Sequence, residues 1–174
     1  MKRWIMKKEY LECAKVVGAH GVKGALKLEV WCDSVKVLTS QKRIFELVGE
    51  SYIERRVISA TPMGEHAILL IEGIEGREAA QGARGKVFYL HRSDIPVRRG
   101  EILLADMIGL DVFDVDTGVR YGEIVDVSDA VRGKLYTVRC DDGREVLFPS
   151  NREFVKEIDA ERGVFIRPIS GFFD

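Results

Sequence analysis

The chain has 174 residues, 46% of them hydrophobic and 32% charged, which is typical of a globular protein with one medium domain or two small ones. Residues 1–95 hold 16 Lys and Arg against 12 Asp and Glu, whereas residues 96–174 hold 11 against 16. The net charge of −1 therefore combines a basic half with an acidic half. A basic half suits a phosphate backbone and an acidic half suits a basic protein, although charges this small are equally typical of two ordinary solvated surfaces.

Cysteine spacing argues against a zinc site and a disulfide framework, and hydropathy argues against a signal peptide and a membrane span. Cys13, Cys32 and Cys140 lie far apart, without the paired spacing of a zinc site, and their odd number does not make a disulfide framework. We expect these thiols to be reduced and mostly buried. Residues 1–10 contain no apolar core of signal-peptide length. The sequence also has no run of about 18 uncharged apolar residues, the length that a transmembrane helix needs. The sequence thus predicts a cytoplasmic protein without a membrane partner.

The first half is dominated by short apolar segments separated by turn residues. Residues 26–30 alternate apolar and charged side chains, as a half-buried strand does, and residues 67–71 are apolar throughout, as in a strand buried on both faces. A short helix is predicted at residues 76–81. The predicted strands of this half are residues 10–17, 26–30, 44–48, 52–60, 67–71 and 86–91. This number of strands suits a small closed barrel, because closure removes the exposed edges of a short sheet.

The second half repeats a simpler plan, with glycine-ending turns at residues 116–118, 141–143 and 161–163 that predict hairpins. Its predicted strands are residues 110–115, 119–127, 135–140, 145–148 and 164–167, with 154–158 either a strand or a short helical turn. Residues 93–100 contain a proline, a glycine and a basic pair, the composition of an interdomain linker. The sequence therefore predicts an all-β protein with minor helix, divided into domains at residues 1–96 and 97–174.

The glycine-rich stretch at residues 18–24 invites comparison with phosphate-binding loops. Its spacing matches neither a P-loop nor a dinucleotide fingerprint, and the segment that follows is a strand rather than a helix. We interpret it as a β-turn in which Gly18, Gly21 and Gly24 supply positive φ. The functional alternative is that His20 and Lys23 project from a barrel rim onto an RNA phosphate or a partner protein.

Catalytic and metal-binding patterns are not recognisable in the sequence. The histidines, at positions 20, 66 and 91, have no nucleophile or acid pair in a familiar context. Asp111, Asp114 and Asp116 form an acidic cluster that we interpret as a solvated hairpin turn rather than a calcium loop. We expect no catalytic residue, no metal and no cofactor.

Aromatic residues were considered as a stacking platform for nucleic-acid bases. The segment with Phe88, Tyr89, His91 and Arg92 comes closest, but strand alternation directs Phe88 and Tyr89 to opposite faces, so one of these two belongs to the core. Near the C-terminus, Phe165, Phe172 and Phe173 are expected to be packing residues, with an exposed tail that docks on a partner as the alternative.

Taken in order, these segments resemble the RimM family of small-subunit maturation factors, over residues 10–169. Residues 16–28, with the sequence Val-Val-Gly-Ala-His-Gly-Val-Lys-Gly at their start, are similar to the family's first strand, glycine turn and second strand. Residues 73–80 resemble its short helix, and residues 93–96 resemble the segment that leaves the first barrel. Residues 122–127, 145–149 and 154–159 resemble the PRC-barrel domain of the family.

The resemblance implies two small β-barrels, a six-stranded translation-factor-like barrel followed by a PRC-barrel. It also implies a non-enzymatic factor that binds the free 30S ribosomal subunit and a basic head ribosomal protein, and that assists 16S rRNA processing and assembly of the 30S head. We expect a monomer. The basic half would face 16S rRNA and the acidic half the ribosomal protein, although the reverse assignment stays open.

The chain departs from the family at Ile102 and Leu103, which stand where the family has a tyrosine pair implicated in subunit binding. We expect these two side chains to form an interdomain or subunit-facing patch that keeps contact area without the phenol hydrogen bonds. Two alternatives remain: a PRC-barrel protein-interaction adaptor with no ribosomal role, and an RNA-modifying enzyme with an unrecognised site.

Overall fold

The computed structural model describes residues 7–99 and 101–174, and the chain divides into two compact units, Met1–Pro96 and Val97–Asp174. Within the described residues the first unit has six strands and two α-helices. These elements are β1 (Tyr10–His20), β2 (Ala25–Val30), α1 (Val35–Thr39), β3 (Arg43–Val48), β4 (Ser51–Met63), β5 (His66–Ile71), α2 (Gly76–Gly82) and β6 (Val87–His91). A short 3-10 helix, Arg92–Asp94, follows β6.

The first unit is a closed barrel with the strand order β1-β2-β5-β4-β3-β6. All neighbouring strands are antiparallel, so each strand alternates between the barrel interior and the outside. Leu26, Leu28, Leu69, Phe88 and Leu90 fill the interior and are 0% exposed. The prediction of a six-stranded barrel is confirmed, and Phe88 is the core residue of the Phe88–Tyr89 pair.

Helix α1 is absent from the sequence prediction. Ser34 caps it, since its Oγ accepts a hydrogen bond from the backbone N–H of Val37 at 3.1 Å. Leu38 is its one buried side chain. A five-residue helix with a single buried residue has no apolar periodicity, which is why the pattern does not indicate it. Among the described residues, no helix has the length and apolar character needed to cross a membrane.

The second unit is a six-stranded sheet with the order β10-β9-β8-β7-β12-β11. Its elements are α3 (Leu104–Met107), β7 (Asp111–Asp114), β8 (Arg120–Ala130), β9 (Gly133–Cys140), β10 (Glu145–Pro149), β11 (Val155–Asp159) and β12 (Gly163–Ile166). The three predicted glycine-turn hairpins are confirmed as β7–β8, β9–β10 and β11–β12. Strand β12 also pairs in parallel with β7, which joins the last hairpin to the first.

The core of the second unit is centred on Phe148, which is 0% exposed. Phe172 and Phe173 of the C-terminal tail pack against it, with ring centroids 5.4 and 5.7 Å from that of Phe148. The expectation that these tail residues serve packing is confirmed. Phe165 lies outside this cluster and stacks on Phe113 at 5.6 Å.

The three cysteines are free thiols. Cys13 is 0% exposed, and burial raises the pKa of its thiol. Burial also raises the pKa of Cys32 to about 11. A thiol with a raised pKa is a weak nucleophile and a weak metal ligand at neutral pH. This applies to Cys13 in β1 and to Cys32 in the loop after β2.

Candidate functional site

The β1–β2 connection is a four-residue turn, Gly21 to Gly24, at one end of the first barrel. Gly21 has φ 70° and Gly24 has φ 93°, a region that residues with a Cβ rarely adopt. Gly18, in contrast, lies inside β1, beside the register shift between Val16 and Gly18, and its φ is not positive. Its predicted role in the turn is therefore corrected: Gly18 belongs to a bulged strand.

The turn is held against the loop between β5 and α2. The backbone N–H of Gly76 donates a 3.4 Å hydrogen bond to the carbonyl of Lys23. A Cβ added to Gly24 would lie 2.7 Å from the nitrogen and 2.8 Å from the oxygen of Gly76, closer than real Cβ atoms approach backbone atoms. Because two backbone segments meet at van der Waals contact, the turn is a fixed feature of this barrel end.

His20 and Lys23 are both exposed, as is Val22 at 79%. The two predicted contact residues thus lie at the same end of the barrel, His20 at the end of β1 and Lys23 in the turn that follows. An exposed ammonium on a rigid turn can bind a phosphate oxygen as a point charge. The same geometry can equally meet a carboxylate of a protein.

A second charged feature, not foreseen from the sequence, lies at the same end of the barrel. Glu46 is directed into the barrel, since it lies opposite the core residue Phe88, and is 9% exposed. Arg55 Nη2 lies 3.1 Å from Glu46 Oε2, and Lys86 Nζ pairs with the other carboxylate oxygen. Arg55 also approaches Gly73 of the loop that holds the turn, 3.6 Å from the position of a Cβ there.

Two cations share the single carboxylate of Glu46. Burial raises the pKa of Glu46, but the hydrogen bonds from Lys86 and Arg55 lower it by more than burial raises it. The pKa of Glu46 is therefore below its ordinary value. The side chains of Arg55 and Lys86 are 37% and 46% exposed, so both keep contact with solvent. One positive charge is therefore left in excess within this cluster. A charged residue at an inward strand position, between apolar neighbours, is the sequence signal that could have found it.

Ile102 and Leu103 belong to the second unit. Leu103 is 5% exposed and immediately precedes α3, and Ile102 is partly buried against the core around Phe148. A side chain this buried offers little surface to a separate partner, and the interdomain or subunit-facing patch at Ile102 and Leu103 stays a prediction. Packing against this apolar core explains why an aliphatic residue suits position 102.

The acidic cluster of the second unit is used within its own hairpin. Asp114 Oδ1 accepts hydrogen bonds from the backbone N–H groups of Asp116 and Thr117, both at 2.8 Å, and Tyr121 donates its hydroxyl to Asp114 Oδ2 at 2.7 Å. Arg167 binds Asp116 through two 2.6 Å contacts. Across residues 7–99 and 101–174, no group of three or more His, Cys, Asp or Glu side chains is arranged to hold a metal ion.

The Asp114 turn predicts a pH dependence of stability. The hydroxyl of Tyr121, together with the N–H of Thr117, lowers the pKa of Asp114 to about 2. Because the folded pKa lies below the unfolded value of about 3.9, the carboxylate stabilises the fold above about pH 4, and this contribution is lost as the pH falls to about 2. We expect Asp114→Asn to reduce the change in the urea unfolding midpoint between about pH 4 and about pH 2. The matched control is Asp126→Asn, an exposed change on β8; an equally steep profile for both variants would contradict the assignment.

The chain is similar to known proteins over almost its whole length. The family model described as the RimM N-terminal domain matches residues 11–95, and the PRC-barrel domain model matches residues 99–170. The ribosome maturation factor RimM of Clostridium botulinum strain Hall is 32% identical over 164 residues, which cover 93% of this chain and 96% of that protein. The ribosome maturation factor RimM of Gloeobacter violaceus is 31% identical over 173 residues, 95% of this chain and 94% of that protein.

A crystal structure of a 16S ribosomal RNA processing protein RimM from Pseudomonas aeruginosa aligns with a TM-score of 0.46 and 20% sequence identity. The alignment covers 94% of this chain and 99% of that one.

Proposed function

Since this chain belongs to the RimM family, whose curated members are named ribosome maturation factors, we propose that it is itself a non-enzymatic ribosome maturation factor. It binds the free 30S subunit and a basic ribosomal protein of the 30S head, and it assists 16S rRNA processing and head assembly. The observation that carries the proposal is that the relationship extends over 93% of the chain, so it includes both barrels.

The proposed mechanism is selective binding. A factor without turnover acts by stabilising one conformation of its target relative to the others. The β1–β2 turn suits this role because it is fixed against the β5–α2 loop and presents Lys23 without an ordering cost. With Arg55 and Lys86 nearby, this barrel end offers several cations to an RNA backbone.

The acidic second unit suits a cationic protein surface. Carboxylates such as those of Asp126 and Glu161 are exposed there. Charges of this kind contribute mainly to the rate of association and to the choice of partner, since exposed ion pairs add little to affinity. The proposal therefore assigns recognition to the acidic surface and phosphate contact to the first unit.

The experiment that tests the proposal is co-sedimentation of the purified protein with 30S subunits, 50S subunits and 70S ribosomes over a salt series. We expect binding to 30S alone, weakening as salt rises, because each phosphate contact releases counterions. A folded protein that binds none of the particles would instead support the adaptor alternative, a PRC-barrel interaction protein without a ribosomal role.

Lys23→Glu is expected to weaken 30S binding about tenfold at low salt, because a phosphate contact is replaced by repulsion. The magnitude of the slope of log K against log salt should also fall by about one, the change expected for the loss of one phosphate contact. Lys36→Glu is the matched control: it makes the same charge change on α1, which follows the far end of β2. If both variants bind 30S as wild type does, Lys23 does not contact the subunit.

A further inference from the structure

Four neighbouring strands of the first barrel carry a cluster of aromatic rings on the outside of the barrel. This aromatic face consists of Tyr10 on β1, Phe45 on β3, Tyr52 on β4, and Tyr89 and His91 on β6. The rings of Tyr10 and Tyr52 stack with centroids 4.0 Å apart and planes 9° apart. Phe45 and His91 meet Tyr10 edge-on at 5.0 and 5.1 Å, and Tyr89 meets Tyr52 at 5.1 Å.

Strand register explains why these rings share one surface. Tyr10 pairs with His91 across β1 and β6, and Phe45 pairs with Tyr89 across β3 and β6. Phe45 is 5% exposed and forms the floor of the face, whereas the three tyrosines are partly exposed. The face thus presents tyrosine rings to solvent over a solid aromatic base.

Negative charge borders the aromatic face. Glu12 lies directly opposite Tyr89 in the β1–β6 register, and Glu54 lies opposite Phe45 in the β3–β4 register. Both carboxylates are exposed. Burial raises the pKa of Tyr89, and the charge of Glu12 adds to this effect, so the phenol is neutral and can donate a hydrogen bond at neutral pH.

The face already accepts one guanidinium group from its own chain. Arg43 lies with Cζ 5.2 Å from the Phe45 ring centroid, the geometry of a cation–π contact. Its donors are bound by Asp94, at 2.8 and 3.0 Å, and by Glu54 at 3.0 Å. The internal pair shows which chemistry the surface favours: a planar cation over a ring, with a carboxylate to receive its N–H groups.

We propose that the aromatic face binds an arginine-bearing segment of a basic protein partner. This inference rests on the proposed function in one respect, namely that a ribosomal target supplies such a segment. The negative faces of the rings attract a guanidinium, the exposed carboxylate of Glu12 attracts its charge, and the tyrosine hydroxyls accept or donate hydrogen bonds at the rim. The charge of Glu12 repels phosphate, so RNA is the less favoured occupant.

The test is a titration of the full chain with a synthetic peptide of alternating arginine and glycine. Binding is monitored through the NMR signals of the tyrosine rings. We expect the Tyr10, Tyr52 and Tyr89 signals to shift on binding. Tyr52→Leu should weaken binding about tenfold, whereas Tyr52→Phe keeps the ring and should stay within about twofold. Glu12→Gln should weaken it about threefold, with Glu65→Gln in the β4–β5 turn as the control of equal charge change.

Three results would overturn the proposal: tyrosine signals that do not move, a Tyr52→Leu variant with wild-type affinity, or an oligouridine that shifts the tyrosine signals when the arginine peptide does not. Co-sedimentation with 30S subunits separates this inference from the proposed function. If wild type and Tyr52→Leu bind 30S equally, the aromatic face is not a contact while the maturation role stands. If wild type fails to bind 30S but binds the peptide through its tyrosines, the maturation role fails and the arginine-binding face stands.

Discussion

Replacing Gly24 with alanine is expected to lower the free energy of unfolding by about 3 kcal/mol. Two effects combine. The backbone at φ 93° is unfavourable for alanine, by about 1–2 kcal/mol. The new Cβ would also lie 2.7 Å from the nitrogen and 2.8 Å from the oxygen of Gly76, so the turn and the β5–α2 loop must separate. Forced separation of packed groups typically costs about 1–3 kcal/mol.

Gly21→Ala isolates the conformational part of this effect. Gly21 has φ 70°, but a Cβ there would meet no atom within 4 Å, so only the backbone penalty of about 1–2 kcal/mol applies. Urea unfolding followed by tryptophan fluorescence reports the first unit, since both tryptophans precede residue 97. Equal losses in the two variants would show that contact with Gly76 does not hold the turn. Below the unfolding midpoint, Gly24→Ala should also weaken 30S binding, because Lys23 moves with the turn.

The strands were predictable from sequence because their signal is local. Alternation over residues 26–30 and the apolar run at 67–71 each indicate a strand without knowledge of its neighbours. Pairing that depends on distant segments leaves no such signal. The parallel pairing of β12 with β7 brings Val164 next to Val112, and nothing within either segment specifies the other. Gly18 was misplaced for a related reason, since a strand bulge and a turn both favour glycine.

The candidate site divides in the same way. The turn with His20 and Lys23 lies in one continuous stretch, so its residues could be named from sequence. The charge cluster joins Glu46, Arg55 and Lys86 from separate parts of the chain, and the aromatic face joins four strands through register alone. Sequence alternation assigns each residue to a face, but barrel closure decides which faces meet.

Phe148→Ala is expected to give the largest loss of stability in the second unit, about 3–5 kcal/mol. Phe148 is 0% exposed, and its ring touches those of Phe154, Phe172 and Phe173 with centroids 5.7, 5.4 and 5.7 Å away. Alanine would leave a cavity that the surrounding rings cannot close without moving the C-terminal tail. Amide hydrogen exchange in β9, which pairs with β10, is the direct measurement of the loss.

Leu147→Ala is the matched control because it removes an aliphatic side chain from the next position of the same strand. Leu147 is 58% exposed, so the expected loss is below about 1 kcal/mol. The two substitutions share the β10 backbone and differ in the face they change. If Leu147→Ala proved as damaging as Phe148→Ala, the register of β10 would be shifted by one residue, which would exchange the buried and exposed faces. A large difference between the two variants instead ties the C-terminal tail to the core through Phe148, and deleting residues 172–174 should then reproduce part of the Phe148→Ala loss.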